Sequence, residues 1–408
     1  MKIKSVRELR PSGKTALIRV DFNVPMDAEK IADDFKIRSG GLRTIEYLAN
    51  RAARVIVVSH FGRPDGWDEK FTLEPIAERL GDLLNRKTIV LESGRKLPDY
   101  EIPHLYFIKQ NIVNADISGV IREMREGDVA MLENIRFYEG EKENSRELAE
   151  ILAKMADVFV NDGFAASHRV HASVVGVAEI LPSFAGLELT RELEAMEKVM
   201  NHPKKPFLIM VGGMKLETKV GALLHLAKSA DWILVGGGMA NILLAAAGFN
   251  VGKSVYDKAE LPTAKRLLRD YKNKLMLPRD VVISDGADGV AQLSDIDKVK
   301  SHQMILDIGP ETIGAYSKRL REAKTILWNG PMGLFEKKRF SNGTYALARF
   351  LASRTKSRAY GVAGGGETMQ VISNDKLGEY IDHVSTGGGA MLEYLAGKKL
   401  PGIEVLKK

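Results

Sequence analysis

The stretch Ala16-Leu17-Ile18-Arg19-Val20-Asp21-Phe22-Asn23 is a short apolar run that ends abruptly on polar side chains. A run rich in Val, Ile and Leu and too short for a helix reads as a buried strand of a parallel sheet. The pattern recurs through the first half of the chain. VIVVS ends at His60-Phe61-Gly62-Arg63, VAMLEN leads to Arg136, and DVFVN ends at Asp162. In the second half the runs end on glycine instead: FLIMV at Gly212-Gly213, WILV at Gly236-Gly237-Gly238, AYGVA at Gly364-Gly365-Gly366. Open parallel sheets bind ligands beyond the carboxyl ends of their strands. One half is therefore expected to grip a small anion through side chains, and the other to admit a phosphate chain against bare backbone.

Working outward, strand-like runs lie near 16–20, 55–59, 87–91, 129–133 and 157–161, then near 207–211, 232–235, 280–283, 303–308, 325–328 and 359–363. Amphipathic segments such as 72–84 and 145–155 separate most of them. This alternation predicts βαβ units and an α/β fold with helices on both sheet faces. A chain of 408 residues exceeds one ordinary core, so two domains are expected. The break falls near Leu181-Pro182-Ser183. After it, Leu189, Leu193, Met196 and Met200 recur at helical spacing up to Asn201-His202-Pro203, which predicts a helix bounded by breakers. The expected division is 1–184, a linking helix at 185–200, and 201–390. A crossover helix within one large sheet is the alternative.

Sixty basic against 53 acidic residues leave a formal charge of +7. No dense basic stripe with interleaved aromatics stands out, so nucleic-acid binding is not expected. The chain has no cysteine, which excludes disulfides, thiolate metal sites and cysteine nucleophiles. The N-terminal segment lacks an apolar signal core and no run reaches membrane-spanning length; the expectation is a cytoplasmic protein without membrane association. Gly248-Phe249-Asn250-Val251-Gly252-Lys253-Ser254 is one residue short of a phosphate-binding P-loop and lacks the strand before it.

Arginine gives bidentate hydrogen bonds to phosphate and carboxylate. Arg38, Arg63, Arg136 and Arg169 lie beside strand ends, with His60, His168 and His171 nearby and Asp21 and Asn23 suited to hydroxyl groups. Singly, each is more often a surface charge; their shared placement is the argument. Lys215 and Lys219 follow the Gly212-Gly213 turn four residues apart, on one face of a helix whose N-terminus would attract an anion. Two exposed lysines are the bland alternative. Glu367 opens a helix after Gly364-Gly365-Gly366, where one carboxylate plus phosphate oxygens suffices for Mg²⁺. Glu336 follows the Asn329-Gly330-Pro331 turn and is free to accept ribose hydroxyls.

Together these motifs resemble the phosphoglycerate kinase family, in order and over essentially the whole chain. Arg19-Val20-Asp21-Phe22-Asn23-Val24-Pro25, His60-Phe61-Gly62-Arg63-Pro64, Leu132-Glu133-Asn134-Ile135-Arg136-Phe137 and Ser167-His168-Arg169-Val170-His171 are similar to its N-domain motifs. Gly212-Gly213-Met214-Lys215, Gly236-Gly237-Gly238, Trp328-Asn329-Gly330-Pro331, Gly364-Gly365-Gly366-Glu367-Thr368 and Ser385-Thr386-Gly387-Gly388-Gly389 are similar to its C-domain motifs. The resemblance implies two doubly wound, Rossmann-like lobes, a 391–408 tail packed on the first, and a monomer. It implies 3-phosphoglycerate or 1,3-bisphosphoglycerate on Asp21, Asn23, Lys36, Arg38, His60, Arg63, Arg136 and Arg169. It implies Mg-ADP or Mg-ATP on Gly213, Lys215, Lys219, Gly237, Gly238, Asn329, Glu336, Gly364, Gly365, Gly366, Glu367 and Thr368, with Mg²⁺ at Glu367 and Lys215 and Lys219 at the transferring phosphoryl group. Two positions depart from the family's pattern. Its catalytic arginine stands in a pattern like Asp-Asp-x-Arg-Ile, whereas Asp33-Asp34-Phe35-Lys36-Ile37 puts lysine there; Arg38, favoured, fills the role after a local shift, or Lys36 fills it. Glu367 stands where aspartate is common. Lys36 alone motivates the second reading, an impaired paralogue that binds nucleotide or a protein partner.

Overall fold

The structure is a computed structural model that describes residues 3–92, 97, 101–115 and 117–407; Lys408, the last residue of the expected tail, lies outside them. The chain forms two compact units. The first runs to Leu193 and includes the residues from Lys399 onward; the second is Glu194–Lys398.

In the first unit seven parallel strands lie in the order Thr88–Leu91, Leu105–Ile108, Val129–Leu132, Arg54–Val58, Thr15–Arg19, Val158–Asn161, Ser183–Ala185. The central strands are buried along their length, which is why they read as unbroken apolar runs rather than as alternating ones. Ile18, Val55, Val57, Phe107, Met131 and Val160 pack against Ile45 and Leu48 of the helix Leu42–Ala49 and Ile76 and Leu80 of the helix Glu74–Leu83. Each such side chain contributes about 1.5–3 kcal/mol by leaving water. Register fixes the level of the strand ends: Arg19 lies opposite both Val58 and Asn161, so the residues after all three strands emerge on one edge.

The second unit has six parallel strands in the order Leu275–Met276, Trp232–Val235, Phe207–Val211, Thr325–Asn329, Tyr360–Gly364, His383–Ser385. Met210, Leu234, Ile326 and Trp328 pack there with Tyr316, Leu347 and Leu351. Val211 pairs with Val235 and Asn329, and Asn329 with Gly364. Gly212, Gly236, Gly330 and Gly365 therefore share one edge. The runs near 280–283 and 303–308 do not join this sheet. Asp280–Ser284 pairs antiparallel with Gln292–Asp295 and Met304–Ile308 in a separate three-stranded sheet.

The expected linking helix spans Leu187–Met200, and the division between units falls inside it. Residues 391–398, expected with the tail, belong to the second unit, because the helix Gly389–Leu395 packs on the helix Leu216–Ala227. From Lys399 the chain belongs to the first unit, where Gly402 donates its N–H to the Ser167 carbonyl and accepts from the Asn161 amide.

Candidate active site

The polar edge of the first unit gathers most of its expected residues. The Asp21 carboxylate lies 3.4 Å from the Lys36 ammonium and 3.7 Å from His60 Nδ1. Asn23 accepts the Gly62 N–H at 3.0 Å, so the loop after Arg54–Val58 is anchored to the loop after Thr15–Arg19. Arg136 donates to the Gly62 carbonyl. Asn134, fully buried, accepts the N–H groups of Phe61 and Arg136 and donates to the carbonyls of Phe61 and Phe71. It holds His60 and Arg136 in fixed relation.

Electrostatics shows how closely the cations crowd. Burial lowers the Arg136 guanidinium to about 10, and neighbouring Arg169, Arg19 and Arg63 push in the same direction against Asp21. Burial also drives His60 well below its ordinary value, with Arg19, Arg136 and Arg169 outweighing Asp21 together with that burial. Burial would raise Asp21, but His60, Lys36, Arg19 and the Asn23 N–H hold it below the usual carboxylate range. Around His60 the guanidinium groups of Arg19, Arg136 and Arg169 stand against the Asp21 carboxylate, an excess of positive charge of the kind that suits an anionic ligand.

Arg38 is not part of this cluster. It is exposed, and its Nε donates to both oxygens of Asp34 at 2.9 and 3.0 Å; Arg79 holds the same carboxylate. Both residues lie on the short helix Phe35–Ser39, where positions two apart point to different sides. Lys36 faces Asp21 and Arg38 faces outward, contrary to the expectation that favoured Arg38.

On the glycine edge of the second unit, Gly213 has φ +77°, and a Cβ there would stand 2.7 Å from Lys219 Nζ and 2.9 Å from Glu367 Oε2. A side chain at 213 would therefore separate the two groups expected to meet a phosphate and its cation. Lys219 donates to the Gly212 carbonyl; burial lowers its ammonium while Glu367 opposes. Gly365, at φ +104°, leads into the helix Gly366–Asn374 with Glu367 in its first turn. Asn329 and Thr368 turn inward: the Asn329 amide donates to the Gly364 carbonyl, and Thr368 Oγ1 accepts the Gly330 N–H. Gly237 donates to the Met332 carbonyl at 2.7 Å, and Gly238 lies buried in the helix Gly237–Ala246. Lys215 is the extended N-cap residue of the helix Leu216–Ala227, so it precedes the helix and shares no helical face with Lys219, contrary to expectation. Glu336 is exposed. Among the described residues no three His, Asp or Glu side chains converge as a metal cage.

A family model described as phosphoglycerate kinase matches residues 6–398. The chain belongs to the phosphoglycerate kinase family. A protein of that name from Pelotomaculum thermopropionicum is 42% identical over 412 residues, covering 100% of this chain and 99% of the relative. One from Dictyoglomus turgidum is 40% identical over 415 residues, covering 100% of both chains. The solved phosphoglycerate kinase of Coxiella burnetii superimposes with a TM-score of 0.83 at 37% identity over 99% of each chain. That of Pyrococcus horikoshii gives 0.82 at 30% identity over 99% of this chain and 98% of its own.

The family resemblance named Asp21, His60 and Arg136 but not the buried residues that hold them. Arg19, Asn134, Glu141 and Ser173 were missed as site residues, although all four are buried polar side chains. Arg19, Asn134 and Ser173 lie inside or beside the quoted motifs. Nothing in a single sequence separates a polar residue that faces a ligand from one that faces its neighbours.

Proposed function

We propose that this chain transfers a phosphoryl group reversibly between 1,3-bisphosphoglycerate and Mg-ADP, giving 3-phosphoglycerate and Mg-ATP. The observation that carries the reading is the crowding of Arg19, Arg136 and Arg169 around His60, with Lys36 beside Asp21 and Arg63 beside Arg136. A small acid with a phosphate supplies the missing negative charge, and each charge-assisted hydrogen bond contributes about 1.5–3 kcal/mol. The glycine edge suits a nucleotide's phosphate chain, with Lys219 and the N-terminus of the helix Gly366–Asn374 as the positive partners.

A Mg²⁺ ion arriving with the nucleotide fits the exposed Glu367 carboxylate beside Gly213, since Mg²⁺ commonly takes one or two carboxylates plus phosphate oxygens. When bound it neutralises charge on those oxygens. In this reading Lys36 stands in for the family's catalytic arginine, meeting the transferring phosphoryl group with a compact charge rather than a planar fork. Lys215 and Lys219 approach the same group from the nucleotide side. Transfer is direct and in line, so catalysis consists of positioning and charge neutralisation. Holding both reactants aligned contributes roughly 7–11 kcal/mol. The reading extends to a monomer acting in the cytoplasm.

Calorimetric titration of the whole protein tests it. Both 3-phosphoglycerate and Mg-ATP should bind, with Arg136→Met abolishing the first and sparing the second. A protein that binds Mg-ATP and ignores 3-phosphoglycerate is the impaired paralogue instead.

A further inference from the structure

Behind the polar edge lies a buried chain of hydrogen bonds that ends on His60. Glu141 is completely buried; its Oε1 accepts the Ser173 hydroxyl at 2.7 Å and its Oε2 the Ser173 N–H at 2.9 Å, while His171 Nδ1 stands 3.2 Å from Oε1. The Ser173 hydroxyl has one proton, given to Glu141, and so meets Arg19 as an acceptor. Arg19 Nε donates to it at 2.9 Å. The guanidinium's other nitrogens reach the Val20 carbonyl and, at 3.1 Å, His60 Nδ1. A guanidinium has no acceptor, so Nδ1 of His60 must accept. A neutral imidazole that accepts on Nδ1 carries its proton on Nε2.

We propose that the Glu141–Ser173–Arg19 relay is a positioning device that fixes His60 as a neutral imidazole with its proton on Nε2. His60 then offers the ligand a directed N–H donor without a charge, and the ligand's anionic groups are met by the arginines. Glu141 lowers the cost of burying Arg19 without touching it, because Ser173 lies between them. The groups facing His60 agree with this: Arg19, Arg136 and Arg169 oppose a second proton, and Asp21 alone favours one. Asp21 is 3.7 Å from Nδ1, too far to take a proton from it in a hydrogen bond. The inference rests on the proposed function only for the ligand's identity.

The test is a long-range proton–nitrogen correlation spectrum of the full-length, unliganded protein with ¹⁵N-labelled histidine. His60 is assigned by the signals lost in His60→Gln. A pyridine-type Nδ1 and pyrrole-type Nε2, unchanged between about pH 5 and 8, are expected. A pyrrole-type Nδ1, or a ring that charges in that window, overturns the relay while leaving the phosphoryl-transfer reading intact. Ser173→Ala should yield mixed tautomers and raise KM for 3-phosphoglycerate about tenfold, with KM for ATP and kcat unchanged; Ser173→Thr should restore both readouts. A folded Ser173→Ala protein with a pure Nε2–H signature also overturns it. Were that variant unable to fold, the wild-type spectrum would still decide.

Discussion

Lys36 and Arg38 sit two residues apart on one turn of helix and meet different partners. Lys36 lies 3.4 Å from Asp21, inside the cationic cluster, while Arg38 is held by Asp34 with its guanidinium half in solvent. Removing a group that stabilises developing charge lowers turnover by about 10²–10³-fold. Lys36→Ala should show a loss of that size in steady-state kcat, and Lys36→Arg should retain activity. Arg38→Ala should change kcat by no more than about twofold, as for an exposed residue; the reverse ranking would return the role to Arg38. From the sequence the two could not be separated, because a local shift of two residues would put Arg38 where Lys36 stands. Asp21, His60 and Arg136 were legible because each follows a buried strand. Arg19 was quoted inside its motif yet not read as part of the site, because an arginine that ends a strand is ordinarily assigned to the surface.

At the scale of elements, strands were easier to read than their partners. The five runs in the first half all became strands; four are buried almost throughout, which leaves a continuous apolar signal, while Thr88–Leu91 at the sheet edge is only partly buried. Leu105–Ile108 and Ser183–Ala185 were missed: the first is a four-residue run that includes Tyr106 and Phe107, and the second is three residues long after Pro182. Two strands of the antiparallel sheet were legible as runs, but Gln292–Asp295, mostly exposed, was not, nor was the separate sheet, because run length carries no information on direction. Asp162 shows the same limit. It was read as a strand-end polar residue, and in the structure its Oδ1 accepts the N–H groups of Glu188 and Leu189, capping the helix Leu187–Met200. A Cβ at Gly186 would lie 2.1 Å from that oxygen, so only glycine leaves room for the cap. Burial raises the Asp162 carboxyl to about 7, with Glu188 adding to the shift and Thr44 and the two helix N–H groups working against it. Because the folded-state value is raised, this group's contribution is fully present below about pH 4 and is lost as pH rises through about 7, at up to about 1.4 kcal/mol per pH unit. Urea midpoints should therefore shift in favour of Asp162→Asn, relative to wild type, between about pH 4 and 7. A constant difference across that range would show that Asp162 does not titrate there.

For the molecule as a whole, the first half ends its strands on Asp21, His60, Arg136 and Asp162, and the second on Gly212, Gly236, Gly330 and Gly365. Each set lies on one sheet edge of its own unit because parallel strands in matched register bring their ends level. Two units were expected from length and from the breakers around the linking helix. The return of the chain to the first unit at Lys399 was placed eight residues too early, since the packing of Gly389–Leu395 on Leu216–Ala227 has no signature in local sequence. The central claim is that the side-chain edge and the glycine edge serve one reaction. Coupled steady-state measurement of ATP consumption by the whole protein tests it most directly. ATP should be consumed only when both 3-phosphoglycerate and Mg²⁺ are present, with Arg136→Met and Lys219→Ala each abolishing turnover while the other substrate still binds. A well-folded protein that binds both ligands and shows no turnover would contradict it.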